Sequence, residues 1–128
     1  MPLPCRRRDD RGSATVELAV AAPVVMLLLM MVVQAGLYFY ARTVAATAAH
    51  VGLDAARVEE GTAPAAEAAA RAFLERNAGP FAATSVGAAR GVDEAEVTVA
   101  GEVPSLMFGL DVPSVRVTAR APVERVTP

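Results

Sequence analysis

A single acidic residue, Glu17, stands at the entrance of a long apolar segment. The 24 residues from Leu18 to Ala41 carry no charged side chain and are interrupted only by Pro23, Gln34 and Gly36. An ionised carboxylate costs about 2.5 to 3.5 kcal/mol at the centre of a membrane helix on insertion scales, and less near the interface. The position therefore favours charge pairing with a cationic group. The alternative is an acid at headgroup level, stabilised by the positive end of the helix dipole.

Residue types that carry catalysis or bind metals are scarce and isolated in the sequence. His50 is the only His, and no second His or Cys lies three or four residues away to share a metal ion. None of the four serines stands in a G-x-S-x-G setting, and there is neither a glycine-rich phosphate loop nor a zincin motif. The single Cys5 has no partner for an intramolecular disulfide. We therefore predict a protein that is not an enzyme and uses no cofactor.

The element that must hold Glu17 is a membrane helix. As a helix, the apolar run is about 36 Å long, which exceeds the roughly 30 Å hydrocarbon layer and the apolar run of an ordinary secretory signal. Residues 1–12 contain four Arg and two Asp, whereas only Arg42 follows the run within the next dozen residues. The positive-inside tendency then keeps the N-terminus in the cytoplasm. The alternative is signal-peptidase cleavage at a chance small-x-small site in the Ala-rich stretch after Arg42.

These features predict three parts: a disordered cytoplasmic leader at 1–12, a transmembrane helix at 13–42 and a small extracytoplasmic domain at 43–128. Tyr38, Phe39 and Tyr40 are typical of an outer aromatic belt, with Arg42 just beyond it. Residues 43–128 contain seven Arg and eleven acidic residues, so we expect no nucleic-acid partner. Ala provides 28 of the 128 residues and the aromatics only six, which leaves a thin core.

Two helical segments are predicted between Thr43 and Ala78. The first continues the membrane helix and places small residues on one face, which admits close approach of another backbone or simply reflects the helix propensity of Ala. These residues are Ala45, Ala49, Gly52 and Ala56. After a break at residues 60–63, Pro64 begins a second helix with a Glu67–Arg71 pair and an apolar face of Ala66, Ala70, Phe73 and Leu74. This helix needs a sheet to pack against.

Alternating apolar residues from Phe81 onward predict an antiparallel three-stranded β-meander, and the fold class is α+β. Val97, Val99, Gly101 and Val103 share one side of a strand, and a second strand places Val115, Val117, Ala119 and Ala121 on one side. A weaker strand covers 83–89, before a turn at 90–93. Pairing is expected to set Glu96 and Glu102 against Arg residues.

The link from Pro104 to Pro113 contains four large apolar residues in a segment bounded by Pro and Gly: Leu106, Met107, Phe108 and Leu110. Two interpretations are open. The segment is either a lid on the small core or a patch that meets a partner. We favour the lid, because a domain with so few aromatic residues needs every large side chain to cover its sheet.

The segment RGSATVELAVAAP, from Arg11 to Pro23, gives these features a specific order. Gly12 is followed by four residues, then Glu17, then the apolar run, all after a short basic arm. This order resembles a prepilin-type (class III) signal, in which a membrane peptidase cuts after the Gly. Over about residues 11–57, which include YFYAR at 38–42 and the Ala-rich helix ending at Arg57, the chain resembles the TadE-like family of minor pilins (pseudopilins) of tight-adherence, or Flp, pili. Leu18 departs from the family, which often has an aromatic residue there.

The resemblance implies a protein that acts by assembly. Processing would fall between Gly12 and Ser13, and the new amino group of Ser13 would pair with Glu17 of a neighbouring subunit, cancelling two charges that are expensive to bury singly. Pro23 would permit local bending as subunits leave the bilayer. The implied location is the cytoplasmic (inner) membrane, with the protein either in the pilus fibre or at its base. The implied partners are the prepilin peptidase, other pilin and pseudopilin subunits, the membrane, the pilus platform and, indirectly, its secretion ATPase.

A rival interpretation belongs to another class of protein. The chain could be a single-pass anchored binding or sensor module, whose outer domain holds a ligand through residues 106–110. In that case residues 43–128 would bind the ligand without the helix.

Overall fold

The computed structural model describes Met1, residues 10–109, Asp111 and residues 113–125, with only the backbone described for residues 10 and 11. Most of the predicted disordered leader, together with Cys5 and Leu110, lies outside these residues. The elements confirm the α+β class: two helices precede one antiparallel sheet of order β1-β2-β3. Their bounds are α1 Asp10–Arg57, α2 Ala63–Asn77, β1 Ala82–Arg90, β2 Glu94–Glu102 and β3 Ser114–Pro122.

The chain divides into two compact units, Met1–Val33 and Gln34–Pro128. In the first unit, every residue from Gly12 to Val33 is exposed, including the large Leu, Val and Met side chains. Among the described residues, one helix is long and apolar enough to cross a membrane, and it includes this stretch. A helix that is apolar on all sides and covered by nothing in its own chain is typical of a membrane anchor.

The second unit has a core made largely of Ala and Val. The C-terminal part of α1 contributes Ala45, Ala49 and Ala56, all fully buried. At Gly52 a Cβ atom would lie 2.8 Å from the carbonyl oxygen of Ala66 in α2, closer than real side chains come. The predicted small-residue face thus packs against elements of its own chain. Because these residues are small, two helices and a sheet with few large side chains still pack closely.

The sheet follows the predicted meander, with the alternating valines facing the core. Val97 and Val99 of β2 are fully buried, and Val115 and Ala119 of β3 are buried beside them. Thr84 is the extra residue at an irregularity in the β1–β2 register. The strand that sequence analysis predicted as weak is a nine-residue strand, and its inward side is covered by α2.

The cross-strand charge prediction is confirmed for one acid and wrong for the other. Glu96 lies opposite Arg120, and the two form an ion pair with 2.7 Å between Glu96 Oε2 and Arg120 Nε. Glu102 lies opposite Ser114 instead of an Arg. The reason is register: burial of alternate residues fixes the pairing of β2 with β3, and in that register Arg116 lies opposite Ala100.

The Glu67–Arg71 pair on α2 covers the outer edge of β1. Its two charged groups are 3.5 Å apart, as expected for this spacing. Arg71 Nη2 donates to the carbonyl of Val86 at 3.4 Å, and the amide of Ala88 donates to Glu67 Oε1 at 3.3 Å. These backbone groups belong to the free side of an edge strand. The pair therefore protects that edge, which would otherwise offer a template for another strand.

The lid interpretation of the 104–113 link is wrong for its largest side chain. Phe108 is 105% exposed and Leu106 is 37% exposed, whereas Met107 is partly buried. The core is closed without them, because Leu53, Leu74 and Phe81 occupy the ends of the sheet and helices.

Candidate assembly and processing site

The predicted functional residues lie together near the start of α1. Gly12 and Ser13 are in its first turn, and Glu17 follows one turn after Ser13 on the same side of the helix. Pro23 lies six residues further on, about 240° around the helix from Glu17. The structure therefore groups Ser13 with Glu17 and places Pro23 on a different side. All four residues are exposed.

Glu17 has no cationic partner among the residues whose side chains the structure describes. The described ion pairs all lie in the second unit. From Leu18 to Val33, a little over four helical turns, the exposed surface of the helix is apolar. Leu18 and Val20 are its first large side chains. A cationic group that met Glu17 at this depth would come from outside the described chain.

Gly12 is not required by the packing of the chain. A Cβ atom added there would meet nothing within 4 Å, and Gly12 is not among the glycines with positive φ. An Ala at this position would favour the helix by roughly 0.5 to 1 kcal/mol. The packing of the described residues therefore does not explain the Gly at position 12.

Pro23 lies in the interior of α1. Its ring nitrogen carries no hydrogen, so the carbonyl of Ala19 lacks the usual helical donor. In a bilayer an unsatisfied carbonyl is costly unless a neighbouring group supplies a donor. The missing hydrogen bond fits the prediction that the helix can bend locally at Pro23. The role of Pro23 in assembly stays a prediction.

The described part of the second unit offers little for catalysis or specific ligand binding. His50 is exposed, and no group of three His, Cys, Asp or Glu residues within the described ranges could hold a metal ion. A groove of about 480 Å³ lies between α1 and β3, lined by Tyr38, Arg42 and residues 115–118 among others. No described polar or charged residue is buried. Small-molecule sites usually carry a few convergent, enclosed polar groups, and this groove has none.

The comparison with known families finds a match for the N-terminal segment. Residues 12–54 match the TadE-like protein family. The TadE-like segment begins at Gly12, includes Glu17 and Pro23, and ends at Asp54, in the last turn of α1. The resemblance drawn from the sequence is thereby confirmed over about a third of the chain. No curated protein and no solved structure matches the chain.

The TadE-like match is a likeness over residues 12–54, and the family it names is associated with tight-adherence pili. Among the described residues, the exposed apolar helix suggests anchoring in a membrane. The match does not extend to α2 or the sheet.

Sequence reasoning missed two polar residues that hold the second unit together. Gln34 was noted as an interruption of the apolar run, yet its amide bonds the 104–113 link (below). Arg90, at the end of β1, donates to the carbonyls of Val58, Glu59 and Gly61 after the last residue of α1. Its guanidinium thus holds the loop that follows α1. For Gln34 the sequence did contain a usable signal, namely a single amide side chain inside an otherwise apolar run. Nothing in the sequence distinguished Arg90 from the other arginines.

Proposed function

We propose that the chain is a minor pilin or pseudopilin of a tight-adherence (Flp) pilus or a related type IV pilus-like secretion machine. It acts by assembly, not by catalysis. The observation that carries the proposal is an exposed Glu17, without a described partner, at the start of an exposed apolar helix that matches the TadE-like family. A carboxylate in this position is stable in a bilayer only with a counter-charge or at the headgroup level.

Processing by a prepilin peptidase would supply that counter-charge. Cleavage between Gly12 and Ser13 leaves a protonated amino group on Ser13 and removes the basic leader. The amino group and Glu17 of a neighbouring subunit then neutralise one another inside a bundle of membrane helices. Neither charge is buried singly, and the pairing fixes the register of one helix against the next.

The helical backbone at Gly12 adds a condition on processing. Residues 10–13 are helical, and in a regular helix the carbonyl of the Gly12–Ser13 peptide bond accepts from the amide four residues further on. A protease must expose that bond, so the first turn has to unwind in the peptidase. The end of a helix frays readily, and Gly12 weakens it further.

The proposed organisation follows the charge distribution. The leader 1–12 lies in the cytoplasm, residues 13–42 cross the inner membrane, and residues 43–128 lie on the extracytoplasmic side. The proposed partners are the prepilin peptidase, other pilin and pseudopilin subunits, and the pilus platform, with the secretion ATPase acting through the platform. Four Arg in the leader against the single Arg42 at the far end of the membrane-crossing segment support this orientation.

Intact-mass measurement of the membrane-extracted chain tests the proposal. The chain is expressed with and without a prepilin peptidase, as the natural sequence and as Gly12→Val. The natural chain should begin at Ser13 only when the peptidase is present, and Gly12→Val should keep residues 1–12. Gly36→Val is the matched control, since a Cβ atom added at either glycine meets nothing within 4 Å. A natural chain that still begins at Met1 beside an active peptidase contradicts the proposal.

A further inference from the structure

The loop formed by residues 105–109, between β2 and β3, presents apolar side chains outward. Phe108 is 105% exposed and Leu106 is 37% exposed. The loop is nevertheless built by its own bonds: the amide of Met107 donates to Ser105 Oγ at 3.3 Å, and the Ser105 hydroxyl donates to the carbonyl of Met107 at 3.1 Å. Gly109, at φ +84, supplies the left-handed turn that ends it. The exposed Phe is thus held on a shaped loop.

Gln34 fixes this loop to α1 through both ends of its side-chain amide. Its Oε1 accepts a hydrogen bond from the amide of Leu106 at 2.9 Å, and its Nε2 donates to the carbonyl of Pro104 at 3.2 Å. These two bonds join residues that are 70 and 72 positions apart in the chain. They account for a polar residue that otherwise interrupts an apolar run of 24 residues.

The attachment point determines the depth of the loop. Gln34 precedes Tyr38 by one helical turn, about 6 Å along the axis, on the side of the apolar run. Tyr38, Phe39 and Tyr40 are the residues expected at the membrane interface. A loop bonded to Gln34 therefore lies beside the last turns of the membrane helix and not out in water beyond the aromatic belt.

The bonding of the loop suits a low-dielectric surrounding. Backbone groups that enter a bilayer need partners within the protein, because the hydrocarbon supplies none. Gln34 satisfies the carbonyl of Pro104 and the amide of Leu106, and Ser105 satisfies the amide of Met107. The acidic Glu102 and Asp111, both exposed, flank the loop and would stay at the headgroups. Entry is therefore limited to the tip.

We propose that the 105–109 loop is a second membrane contact, in which Phe108 and Leu106 enter the lipid interface of the leaflet nearest the sheet, with Gln34 as the positioning residue. The occupant of this apolar patch is phospholipid, because the Gln34 bonds hold the patch one helical turn from the aromatic residues expected at the membrane interface. The inference rests on the membrane anchor, and it does not require pilus assembly.

Tryptophan fluorescence tests the proposal directly, because the chain contains no Trp. The full-length Phe108→Trp variant is placed in phosphatidylcholine vesicles at a high lipid-to-protein ratio. The lipids carry either brominated or ordinary acyl chains. Leu28→Trp, in the exposed apolar run, reports insertion of the helix, and Val92→Trp, 74% exposed in the β1–β2 turn, reports water. We expect blue-shifted emission and quenching by brominated lipid for Leu28→Trp and Phe108→Trp, and neither for Val92→Trp.

The outcomes separate the possible failures. If Leu28→Trp is quenched but Phe108→Trp behaves like Val92→Trp, the membrane anchor is supported and the loop proposal is overturned. Protection of Phe108→Trp only in assembled pili would overturn the loop proposal as well. If Leu28→Trp is not quenched, the anchor itself fails and the proposal falls with it. The double variant Gln34→Leu with Phe108→Trp keeps an apolar helix and should lose most of the quenching at position 108. Unchanged quenching in this variant would overturn the positioning role of Gln34.

Discussion

Arg57 and Glu124 are joined twice, once through their side chains and once through their backbones. Arg57 Nη2 lies 2.6 Å from Glu124 Oε1, and the amide of Glu124 donates to the carbonyl of Arg57 at 3.1 Å. Arg57 is the last residue of α1, and Glu124 follows β3 by two residues. The segment after the sheet is thus tied to the end of the long helix, where a backbone carbonyl needs a donor.

Glu124→Gln should lower the free energy of unfolding of the detergent-solubilised chain by about 0.5 to 1 kcal/mol. The loss is small because the side chains of Arg57 and Glu124 are both partly solvated. The Gln amide keeps the shape of the Glu side chain but not its charge. The stability difference between the natural chain and the variant should therefore be smaller at high salt. Thermal unfolding followed by circular dichroism measures it. Glu102→Gln is the matched control, since Glu102 lies opposite Ser114 with no described ion pair. An equal loss in both variants would contradict a specific contribution from the Arg57 pair.

Two glycines of the same helix should respond to Ala in opposite directions. At Gly52 the new Cβ would lie 2.8 Å from the carbonyl oxygen of Ala66 and 3.2 Å from Val97 Cγ1. Overpacking of this kind costs about 1 to 3 kcal/mol. At Gly36 nothing lies within 4 Å, and Ala should stabilise the helix by up to about 1 kcal/mol. Thermal unfolding of the two variants gives the comparison, and a Gly52→Ala chain as stable as the natural one would show that α1 and α2 are not in close contact.

The sequence predicted those parts of the fold that depend on local periodicity. Alternation at 97–103 and 115–121 located β2 and β3, and Pro64 after the break at 60–63 located the start of α2. The side-chain pattern is repeated along each element, so several residues support each assignment. The apolar run and the order Gly12, Glu17, Pro23 were sufficient to predict the likeness to TadE-like proteins that residues 12–54 show.

The features that sequence analysis missed depend on single contacts between distant residues. Gln34 meets Leu106 across 72 positions, and Arg90 meets Val58 across 32. Such contacts follow from strand register and loop conformation, which no local pattern encodes. The incorrect pairing of Glu102 has the same cause, because a charge pattern alone leaves the register free by two residues. Residue type predicts that Phe108 covers the core, whereas Leu53, Leu74 and Phe81 close the core without it.

Loss of the acid at position 17 should separate membrane insertion from assembly. Glu17→Ala makes the start of the helix more apolar, so insertion should be unchanged or improved. Assembly should be impaired, because the charged amino group of a neighbouring subunit would be left without its partner. Co-purification with pilin subunits should fall by roughly tenfold, which corresponds to the 1.4 kcal/mol of a modest charged contact.

The control for Glu17→Ala is Glu75→Ala, an exposed acid on α2. Its loss changes the net charge equally and should leave co-purification and piliation unchanged. Glu17→Asp, which keeps the charge on a shorter side chain, should retain part of the assembly. Unchanged piliation in Glu17→Ala cells would remove the proposed role from this residue.

Replacement of Pro23 tests whether the weak point in α1 is used. Pro23→Ala restores the amide that can donate to the carbonyl of Ala19, and the helix interior should gain up to about 3 kcal/mol. Helix content and thermal stability in detergent should rise. If pilus assembly requires the helix to bend or open there, piliation should fall although insertion is normal. Val24→Ala is the control, because it shortens an exposed neighbour without adding a backbone donor. A stabilised Pro23→Ala chain that supports normal piliation would show that α1 can leave the bilayer as a regular helix.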